Sequence, residues 1–586
     1  MTELGTSGPT GPGRVVRVNG PLVEVEGLVG VAMSEVVELG PLRIPGEVVA
    51  FTGAVATVQA YEYTGGLGPG AAVIPLGEPL SAPLGPELLG GVFDGLLRPL
   101  AGAGTWLTPG ATEPTSPRTW RFEPQVHAGD EVVAGDTLGV VHGVGSLQLS
   151  VLIPPGVQGA VEALVEPGQY SSDATVAVVG GRPICMTQRW PVRRPRPYRS
   201  RVDGSEPLVT GQRVLDLLYP VALGSTAAVP GGFGTGKTVL LQQVAKWCTA
   251  NVIVYVGCGE RGNEMADVVA ELAELVDPRT GGRLASRTVV VANMSNMPMM
   301  ARESSVYAGM TVAEYFRDMG LHAVVIADST SRWAEALREF ASRSGALPAE
   351  EGYPAGLGSA LAAFYERAGH VVTLGGARGS VTVIGAISPQ GGDVTEPVTA
   401  NTERFVRSVW SLDRDLAYAR HYPAVSWTSS FSRDAAPVGA WHAARGDPEW
   451  ARRRGRVLGL VADADRLAAL ADLVGVGSLP GAERMVLVAG RLLREGVLQQ
   501  SALSGTDASS SPEKGAVLVD AVLAVLDRCL GLVERGVLAS VLEQFDWGPL
   551  VRARDETASS DAAGIEGRRD AVLAALDRLV PGEVGP

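Results

Sequence analysis

The sequence predicts a multidomain protein in which a small N-terminal β-barrel, an inserted β-rich module and an α/β domain with a parallel sheet precede a C-terminal α-helical domain. The chain has 586 residues, which is more than one hydrophobic core usually organises. Its hydrophobic pattern changes along the chain from alternating runs to uniformly apolar runs and then to helical periodicity. The predicted domains are 1–75 for the barrel, 110–195 for the inserted module, 76–109 with 196–445 for the α/β domain, and 446–586 for the helical domain.

The two β-rich domains are predicted from short runs of Val-rich sequence. Residues 14–18 and 54–59 alternate apolar and polar residues between Gly and Pro, which is typical of a small antiparallel barrel. Similar runs at 132–136 and 156–161 lie in a second Gly/Pro-rich stretch, to which no chemistry is assigned.

The α/β domain is predicted from apolar runs that are followed by loops and helices. These runs are 226–229, 252–256, 288–291, 323–327 and 381–384. Such runs are typical of a parallel sheet buried on both faces, where ligands bind beyond the carboxyl ends of the strands. Candidate functional residues are therefore those that directly follow each run.

Helical periodicity marks the C-terminal domain, which begins beyond Pro448. Leu467, Leu470, Ala471 and Val474 occur at i, i+3, i+4 and i+7 ahead of Gly475. This spacing predicts a helix that ends at the glycine.

An octapeptide after the first apolar run carries the most specific chemistry. It comprises Gly231, Gly232, Phe233, Gly234, Thr235, Gly236, Lys237 and Thr238 and fits the phosphate-cradling pattern G-x-x-x-x-G-K-[ST]. Glycines let backbone N–H groups approach a phosphate, Lys237 adds a mobile positive charge, and Thr238 can hold Mg²⁺ through its hydroxyl. A plain Gly-rich turn is the alternative, but the chain has only three lysines, so a chance lysine in this frame is rare. The loop predicts a nucleotide-binding protein.

Glu260 follows the run 252–256 in a Gly-flanked turn. Phosphoryl transfer needs a carboxylate that positions water, and Glu260 is well placed for that role. A carboxylate that merely caps a helix is the alternative. Cys258, in the same segment, is interpreted as a small buried residue, since nothing in the sequence supplies a partnering base.

Asp328 ends the run 323–327, which is the expected place for an acid in a Mg²⁺ shell. The residues after it open a helix, so Ser329 or Thr330 can serve as its cap. Arg332, in the first turn, can contact phosphate or pair with an acid.

Composition argues against several functional classes. A net charge of −14 is unfavourable for a general nucleic-acid surface. Four cysteines and six histidines are scattered without metal-ligand spacing, so neither a disulfide framework nor a protein-built metal site is expected. The N-terminus lacks the layout of a signal peptide, and the most apolar helical stretch, 516–533, is interrupted by Asp520, Asp527 and Arg528, so we expect a cytoplasmic protein. The one basic run, 193–201, is interpreted as a Pro-rich connector with solvated arginines, with anion binding as the alternative.

Together these motifs resemble those of the catalytic A subunit of rotary V-type and A-type ATPases and ATP synthases, over nearly the whole chain. Besides the phosphate loop and its following Val239, the matching segments are 93–95, 98–100, 215–216, 259–265, 328–339, 351–355, 364–369, 388–393 and 448–450. The resemblance implies an N-terminal β-barrel, a family-specific bulge module at 110–195, a RecA-like P-loop nucleotide-binding domain and a helical C-terminal domain.

The resemblance also implies roles for individual residues. Lys237 contacts the β and γ phosphates, Thr238 ligates Mg²⁺, and Glu260 activates the attacking water. Arg261 and Glu264 support this site, and Asp328 lies in the metal shell with Arg332 nearby. Tyr422, in His421-Tyr422-Pro423-Ala424, stacks on adenine, with a core tyrosine as the alternative.

The implied assembly is a hexameric head in which this chain alternates with non-catalytic B-type subunits that supply an arginine finger in trans. Central and peripheral stalk subunits connect the head to a membrane rotor, which places the complex peripherally at the cytoplasmic face of the cell membrane. Its ligand is ATP or ADP with Mg²⁺, and no nucleic acid is expected. The alternatives are a hexameric motor for protein export or RNA translocation and a non-catalytic nucleotide-binding subunit.

Four residues depart from the family pattern. Val497 and Leu503 replace aromatic residues near the expected adenine pocket, which predicts weaker stacking on the base. Thr235 replaces a cysteine common in eukaryotic members, so a redox switch at the loop is not expected. Gly232 occupies a position often held by Pro or Ala, which predicts a slightly looser loop.

Overall fold

A computed structural model describes residues 11–101, 118–145, 147–558 and 560–579. Parts of the predicted domain ranges, namely 1–10, 102–117, 146, 559 and 580–586, lie outside the described residues. The chain divides into two compact units: Met1–Val202 with Ala250–Gly385, called here the first unit, and Asp203–Thr249 with Ala386–Pro586, the second unit. Within the described ranges, no helix combines the length and apolar character needed to cross a membrane.

The predicted N-terminal barrel is present in the first unit. Its strands are β1 (Gly13–Asn19), β2 (Leu22–Glu26), β3 (Glu35–Leu39), β4 (Ile44–Thr52), β5 (Val55–Ala60) and β6 (Ala72–Pro79). They close in the order β1-β2-β5-β4-β3-β6. Every second residue points inward, so Val23, Val25 and Val58 are fully buried in the barrel core.

The inserted module consists of two four-stranded antiparallel sheets. After β7 (Ser81–Leu84) and β8 (Val92–Phe93) come β9 (Thr119–Pro124), β10 (Glu131–Val132), β11 (Thr137–Val144), β12 (Leu147–Leu152), β13 (Gly159–Leu164), β14 (Gly168–Ser171), β15 (Thr175–Val179), β16 (Arg182–Cys185) and β17 (Gln188–Pro191). The sheet orders are β10-β13-β15-β16 and β12-β11-β9-β14, and β17 pairs with β7. The runs predicted at 132–136 and 156–161 are only partly strand, because residues 133–136 and 156–158 lie outside the strands.

The nucleotide-binding region continues the chain with strands and helices in alternation. The elements are β18 (Ser200–Arg201), β19 (Thr226–Pro230), α1 (Lys237–Trp247), β20 (Val252–Glu260), α2 (Gly262–Glu274), β21 (Thr288–Met294), α3 (Met299–Asp318), β22 (His322–Asp328), α4 (Thr330–Arg343), α5 (Leu357–Tyr365), β23 (Gly369–Val372) and β24 (Arg378–Ile387). In the first unit β24-β22-β20-β21-β8 are parallel neighbours. Every predicted apolar run forms a strand, so the parallel-sheet prediction is confirmed.

The second unit contains the phosphate loop and most of the C-terminal helices. After β19 and α1 it comprises α6 (Pro397–Phe405), β25 (Ser408–Val409), α7 (Arg414–Tyr418), β26 (Phe431–Ser432), α8 (Ala435–Ala444), α9 (Trp450–Val474), α10 (Gly481–Leu493), α11 (Pro512–Glu534), α12 (Ala539–Glu543), α13 (Gly548–Val551), α14 (Ala553–Glu556) and α15 (Ala562–Asp577). Strand β25 pairs in parallel with β19 and antiparallel with β26. Helix α10 packs on α9 and α11, and α11 packs on α15.

Helix α9 ends at Gly475 as predicted, with φ +83° at the glycine. Of the four residues in the predicted spacing, Leu467 and Ala471 are buried, whereas Leu470 and Val474 are exposed. The buried side continues from Leu467 and Ala471 back through Val457, Val461 and Ala464.

Lys514, in the first turn of α11, is buried although it is a lysine. Its ammonium donates hydrogen bonds to three backbone carbonyls, those of Thr506 (2.9 Å), Arg554 (2.7 Å) and Thr557 (2.8 Å). Burial is the main reason why its pKa is lowered to about 8. The Lys514 side chain therefore links the loop before α11 to the α14 segment through hydrogen bonds to both.

The interpretation of the basic run 193–201 as solvated arginines is wrong for Arg193 and Arg196. Arg193 donates to Glu303 on α3 at 2.6 and 2.8 Å. Arg196 is buried and donates to Asp318 on the same helix at 2.7 Å. These arginines fasten the connector after the inserted module to α3, and their partners lie more than a hundred residues away in the sequence.

Arg367 and Glu314 form a buried ion pair that belongs to the same region. Arg367 donates to both carboxylate oxygens of Glu314, at 3.0 and 2.6 Å, and to the carbonyl of Val192 at 2.6 Å. Glu314→Gln leaves the guanidinium charge buried without its partner charge, which typically costs about 3–5 kcal/mol of stability. We expect a clearly lower denaturation midpoint for this variant in thermal or urea unfolding.

A control for this prediction is Glu339→Gln, which removes the partner of Arg343 in an exposed pair at 2.7 Å. An exposed pair contributes about 1 kcal/mol or less, so its loss is expected to leave the midpoint nearly unchanged. Equal midpoints for the two variants would contradict a stabilising role for the buried pair.

Candidate nucleotide site

The phosphate loop joins β19 to α1 in the second unit. Gly234 and Gly236 both have φ +81°, a left-handed backbone conformation that glycine adopts without strain. Gly236 is the N-cap of α1, so the first N–H groups of the helix face the loop. A helix N-terminus of this kind carries partial positive charge and favours an anion.

Hydrogen bonds within the second unit brace this loop. The Thr235 hydroxyl is buried and donates to the carbonyl of Gly232 at 2.8 Å. The Gly231 N–H donates to the carbonyl of Ile387 at 3.1 Å. The Lys237 ammonium donates to the same carbonyl at 3.4 Å and also to the hydroxyl of Ser388. The end of β24 therefore holds Lys237 at the start of α1.

A cavity of about 490 Å³ opens beside the loop within the second unit. Of the predicted binding residues, its lining includes Gly234, Thr235, Gly236, Val239 and Tyr422. A side chain at position 236 would come within 3.1 Å of the Tyr422 ring, so the ring lies directly over the loop glycine. Tyr422 is 41% exposed, so the alternative of a core tyrosine is wrong.

The remaining loop residues lie outside this lining. Gly231 is buried, Gly232 and Lys237 are half-buried, and Thr238 at the start of α1 is exposed. Phe233 is 94% exposed at the tip of the loop.

Sequence reasoning missed several residues of the cavity wall and misplaced one. Arg420 and Arg554 line the cavity, although no local motif marks either of them. Leu503 lines it as expected and is 98% exposed, whereas Val497 is fully buried and is absent from the lining. The prediction that both aliphatic replacements lie near the adenine pocket is therefore wrong for Val497. His421, next to Tyr422, has its pKa lowered to about 4 by burial and by the charges of Arg494 and Arg554, so it is neutral at pH 7.

Glu260 is the last residue of β20 in the first unit, not part of a flexible turn. The pairing register between β20 and β21 shifts between Cys258 and Glu260, so a bulge at Gly259 redirects the end of the strand. The Glu260 carbonyl accepts from the Ser295 N–H at 2.8 Å, and the side chain is half-buried. Cys258 is fully buried as predicted, and burial raises its pKa to about 12.

The other predicted residues of the first unit lie at two helix starts. Arg261 is exposed at the N-cap of α2, and Glu264 is in its first turn. Arg332 is exposed in the first turn of α4 and pairs with Glu335 at 3.0 Å. That hydrogen bond is the main reason why the Arg332 pKa is raised. Two roles were considered for Arg332, contact with phosphate and pairing with an acid, and the structure shows the pairing with an acid.

Asp328 is the last residue of β22 and is buried. Its Oδ2 accepts a hydrogen bond from the Tyr255 hydroxyl at 3.0 Å. Ser329 holds the N-cap position of α4, but its side chain makes no capping bond, so that part of the prediction is wrong. The buried Ser329 hydroxyl has no hydrogen-bond partner among the residues that the structure describes.

The predicted residues thus form two groups. The phosphate loop, Val239 and Tyr422 lie together in the second unit, and Glu260, Arg261, Glu264, Asp328 and Arg332 lie in the first. In the first unit, the Asp328 carboxylate and the adjacent unsatisfied Ser329 hydroxyl are the kind of hard oxygen donor that Mg²⁺ prefers, so these residues fit this metal. Thr238 carries a hydroxyl of the same kind in the second unit.

A glycine-rich loop between a buried strand and a helix N-terminus, with a lysine at the helix start, defines the class of P-loop nucleotide-binding proteins. Sequence profiles agree with this class. The ATP synthase alpha/beta family, nucleotide-binding domain, matches residues 211–432. Its barrel-sandwich and β-barrel domains match 115–193 and 15–77, and the C-terminal domain of V and A type ATP synthase matches 439–541.

Similar proteins match along almost the whole chain. The V-type ATP synthase alpha chain of Anaeromyxobacter dehalogenans (strain 2CP-C) is 47% identical over 574 residues, which cover 97% of this chain and 99% of the relative. The A subunit of the A-type ATP synthase from Thermococcus onnurineus (strain NA1) is 46% identical, with coverage of 90% of this chain and 92% of the relative. The chain belongs to the family of V-type ATP synthase alpha chains and A-type ATP synthase A subunits.

A solved structure extends the likeness at the level of the fold. The assembled ATPase EscN from the type III secretion system of enteropathogenic E. coli superposes with a TM-score of 0.63 at 22% identity. The match covers 88% of this chain and 100% of that chain. At this identity the likeness shows a shared fold and nothing about function.

Proposed function

We propose that this chain hydrolyses and synthesises ATP as the catalytic subunit of a rotary V/A-type ATP synthase, and that turnover is coupled to ion transport across a membrane. The observation that carries the proposal is the braced phosphate loop beside the cavity walled by Tyr422. Both are built within one unit of the chain.

The phosphate loop and Tyr422 bind the nucleotide in this proposal. The N–H groups at the start of α1 and the Lys237 ammonium hold the β and γ phosphates. Ser388 and the Ile387 carbonyl keep the ammonium in place beforehand. Tyr422 stacks on adenine in the cavity, whose lining also includes Leu503.

The first unit supplies the groups that act on the γ phosphate. Glu260 orients the attacking water and accepts its proton, which is the role that a carboxylate has in phosphoryl transfer. Arg261 and Arg332 bring positive charge to the transferred group, and Glu264 supports the site. Positioning and charge neutralisation carry most of the catalysis in this chemistry.

Thr238, through its hydroxyl, and Asp328 are the residues that would hold Mg²⁺. When bound, the ion would supply positive charge to the phosphate oxygens. Asp328 keeps its carboxylate buried at a strand end.

The active form is an assembly, peripheral to the cytoplasmic face of the membrane. B-type head subunits alternate with this chain and complete its site with an arginine in trans. Central and peripheral stalk subunits link the head to the membrane rotor. The family profiles at 115–193 and 439–541 favour a rotary ATP synthase over an export or RNA motor. The presence of Glu260 favours a catalytic subunit over a non-catalytic one.

The test is steady-state Mg-ATP hydrolysis by the purified chain, alone and after reconstitution with its head and stalk subunits. We expect slow turnover alone and fast turnover on assembly. Nucleotide binding without turnover in every assembly would identify a non-catalytic subunit. Fast turnover by the chain alone would contradict the arginine in trans. Reconstitution into sealed vesicles then tests whether hydrolysis drives ion uptake.

Tyr422 offers a direct test of the adenine pocket. Tyr422→Ala removes the ring, and stacking of a base on an aromatic side chain is worth about 1–3 kcal/mol, so we expect nucleotide affinity to fall about 5- to 150-fold. Tyr422→Phe keeps the ring and is expected to bind nearly as well as the wild type. Titration of ADP in a calorimeter measures both variants, and similar affinities for the two would remove Tyr422 from the base site.

A further inference from the structure

We propose that Tyr255 is a positioning residue for the metal site, because its phenol fixes the orientation of the Asp328 carboxylate. This inference rests on the proposed function, in which Asp328 holds the Mg²⁺ that accompanies the nucleotide. Tyr255 itself contacts neither metal nor nucleotide in this proposal.

The sheet register brings the two side chains to the same face. Strands β20 and β22 are parallel neighbours, in which Tyr255 pairs with Ile326 and Gly257 pairs with Asp328. Tyr255 is thus two residues before the partner of Asp328, and side chains two residues apart lie on one face of a strand. The contact that results is the hydrogen bond from the Tyr255 hydroxyl to Asp328 Oδ2 at 3.0 Å.

Gly257 explains why the tyrosine reaches Asp328. A Cβ at position 257 would lie 2.1 Å from the Met265 sulfur, so the Met265 side chain, which packs from α2, occupies the space of a side chain there. The residue directly opposite Asp328 therefore has no side chain. The nearest side chain on that face of β20 belongs to Tyr255, which is buried almost completely.

A hydrogen bond to one carboxylate oxygen determines where the other oxygen points. The terminal torsion of an aspartate side chain is broad, because it joins an sp³ carbon to an sp² carbon, so a hydrogen bond to one oxygen narrows it. With Oδ2 held by the phenol, Oδ1 has a defined direction at the carboxyl end of β22. Outer partners of this kind typically contribute 10- to 100-fold to metal affinity.

The test compares the Mg²⁺ dependence of ADP binding in the full-length wild type and in Tyr255→Phe, measured by calorimetry without turnover. The phenylalanine keeps the ring packed and removes only the hydroxyl. We expect the Mg²⁺ concentration for half-maximal enhancement of ADP binding to rise about 10- to 100-fold, while ADP binding without Mg²⁺ stays unchanged. An unchanged Mg²⁺ dependence, or an equal loss with and without Mg²⁺, would overturn the proposal.

Tyr61→Phe is the matched control. Tyr61 is also fully buried in the first unit and donates its hydroxyl to a buried carboxylate, that of Glu47 in the barrel. Removal of the Tyr61 hydroxyl also removes a buried hydrogen bond from a phenol to a carboxylate, so a general loss of stability would affect both variants alike. The proposal expects a normal Mg²⁺ dependence in Tyr61→Phe, and a shift as large as that of Tyr255→Phe would overturn it.

A double-mutant cycle tests whether Tyr255 acts through Asp328. In an Asp328→Asn background, Tyr255→Phe is expected to add little further change in Mg²⁺ dependence, since the two residues share one interaction. Fully additive effects would overturn the proposal. Failure of the wild type to bind ADP at all would instead refute the proposed function, so the two failures are distinguishable.

Discussion

Glu260→Gln is expected to abolish most ATP hydrolysis in the assembled head while leaving Mg-ATP binding nearly unchanged. The amide has the size of the carboxylate but cannot accept a proton from water. General-base catalysis typically contributes 10²- to 10⁴-fold, so turnover should fall by about that factor. Glu260 is half-buried at a strand end that a bulge redirects.

Steady-state hydrolysis and nucleotide titration of the same preparation measure the two halves of this prediction. A suitable control is Glu274→Gln, because Glu274 is exposed at the other end of α2 and is expected to be dispensable. If Glu260→Gln turned over ATP as fast as the control, Glu260 would have no role in activating water. If it lost nucleotide binding as well, its role would be structural.

Lys237→Ala is expected to weaken both nucleotide binding and turnover. The ammonium is the one side-chain charge that the loop motif itself supplies to the phosphates, and loss of a hydrogen-bonded charge partner typically costs about 2 kcal/mol or more, roughly 30-fold in affinity. Because the ammonium contacts bound ATP and the contact strengthens as charge develops on the phosphate oxygens in the transition state, KM rises and kcat falls together.

Lys246→Ala is the matched control, since Lys246 lies in the last turn of the same helix. Its ammonium is 4.8 Å from the centre of the Trp247 ring, away from the loop. Both variants remove one lysine from α1, so a change in helix stability affects them similarly. Unchanged nucleotide affinity in Lys237→Ala would contradict the assignment of the phosphate loop.

Local sequence patterns predicted the fold class and the family correctly. The loop, the apolar strands and the Gly475 helix stop each depend on a few neighbouring residues, whose chemistry is visible in the sequence. The roles of Glu260, Lys237, Asp328 and Tyr422 stay predictions until the variants are measured. Their positions, at strand ends and beside the loop, are those expected of a parallel sheet.

The errors arose where partners are distant in sequence. Arg193 and Arg196 were interpreted as solvated because no acidic residue lies within their run, and their partners Glu303 and Asp318 are on a helix that follows much later. Val497 was placed near the pocket wrongly, and the cavity residue Arg554 was not predicted at all. Both errors have the same cause, since the surroundings of these residues are set by segments distant in the sequence. The bulge that ends β20 depends on pairing with β21 and has no sequence signal of its own.

The three carbonyl bonds of Lys514 have a practical consequence for chemical labelling. The chain has only three lysines, and the amine of Lys514 is enclosed by backbone. An amine-acylating reagent applied to the folded protein therefore has two lysine targets, Lys237 in the loop and Lys246 near the other end of α1. Acylation of Lys237 relative to Lys246, read by peptide mass spectrometry, reports occupancy of the phosphate loop against an internal standard on the same helix. Because the chain has so few lysines, acylation of other lysines adds little background, and the labelling reports on the phosphate loop alone.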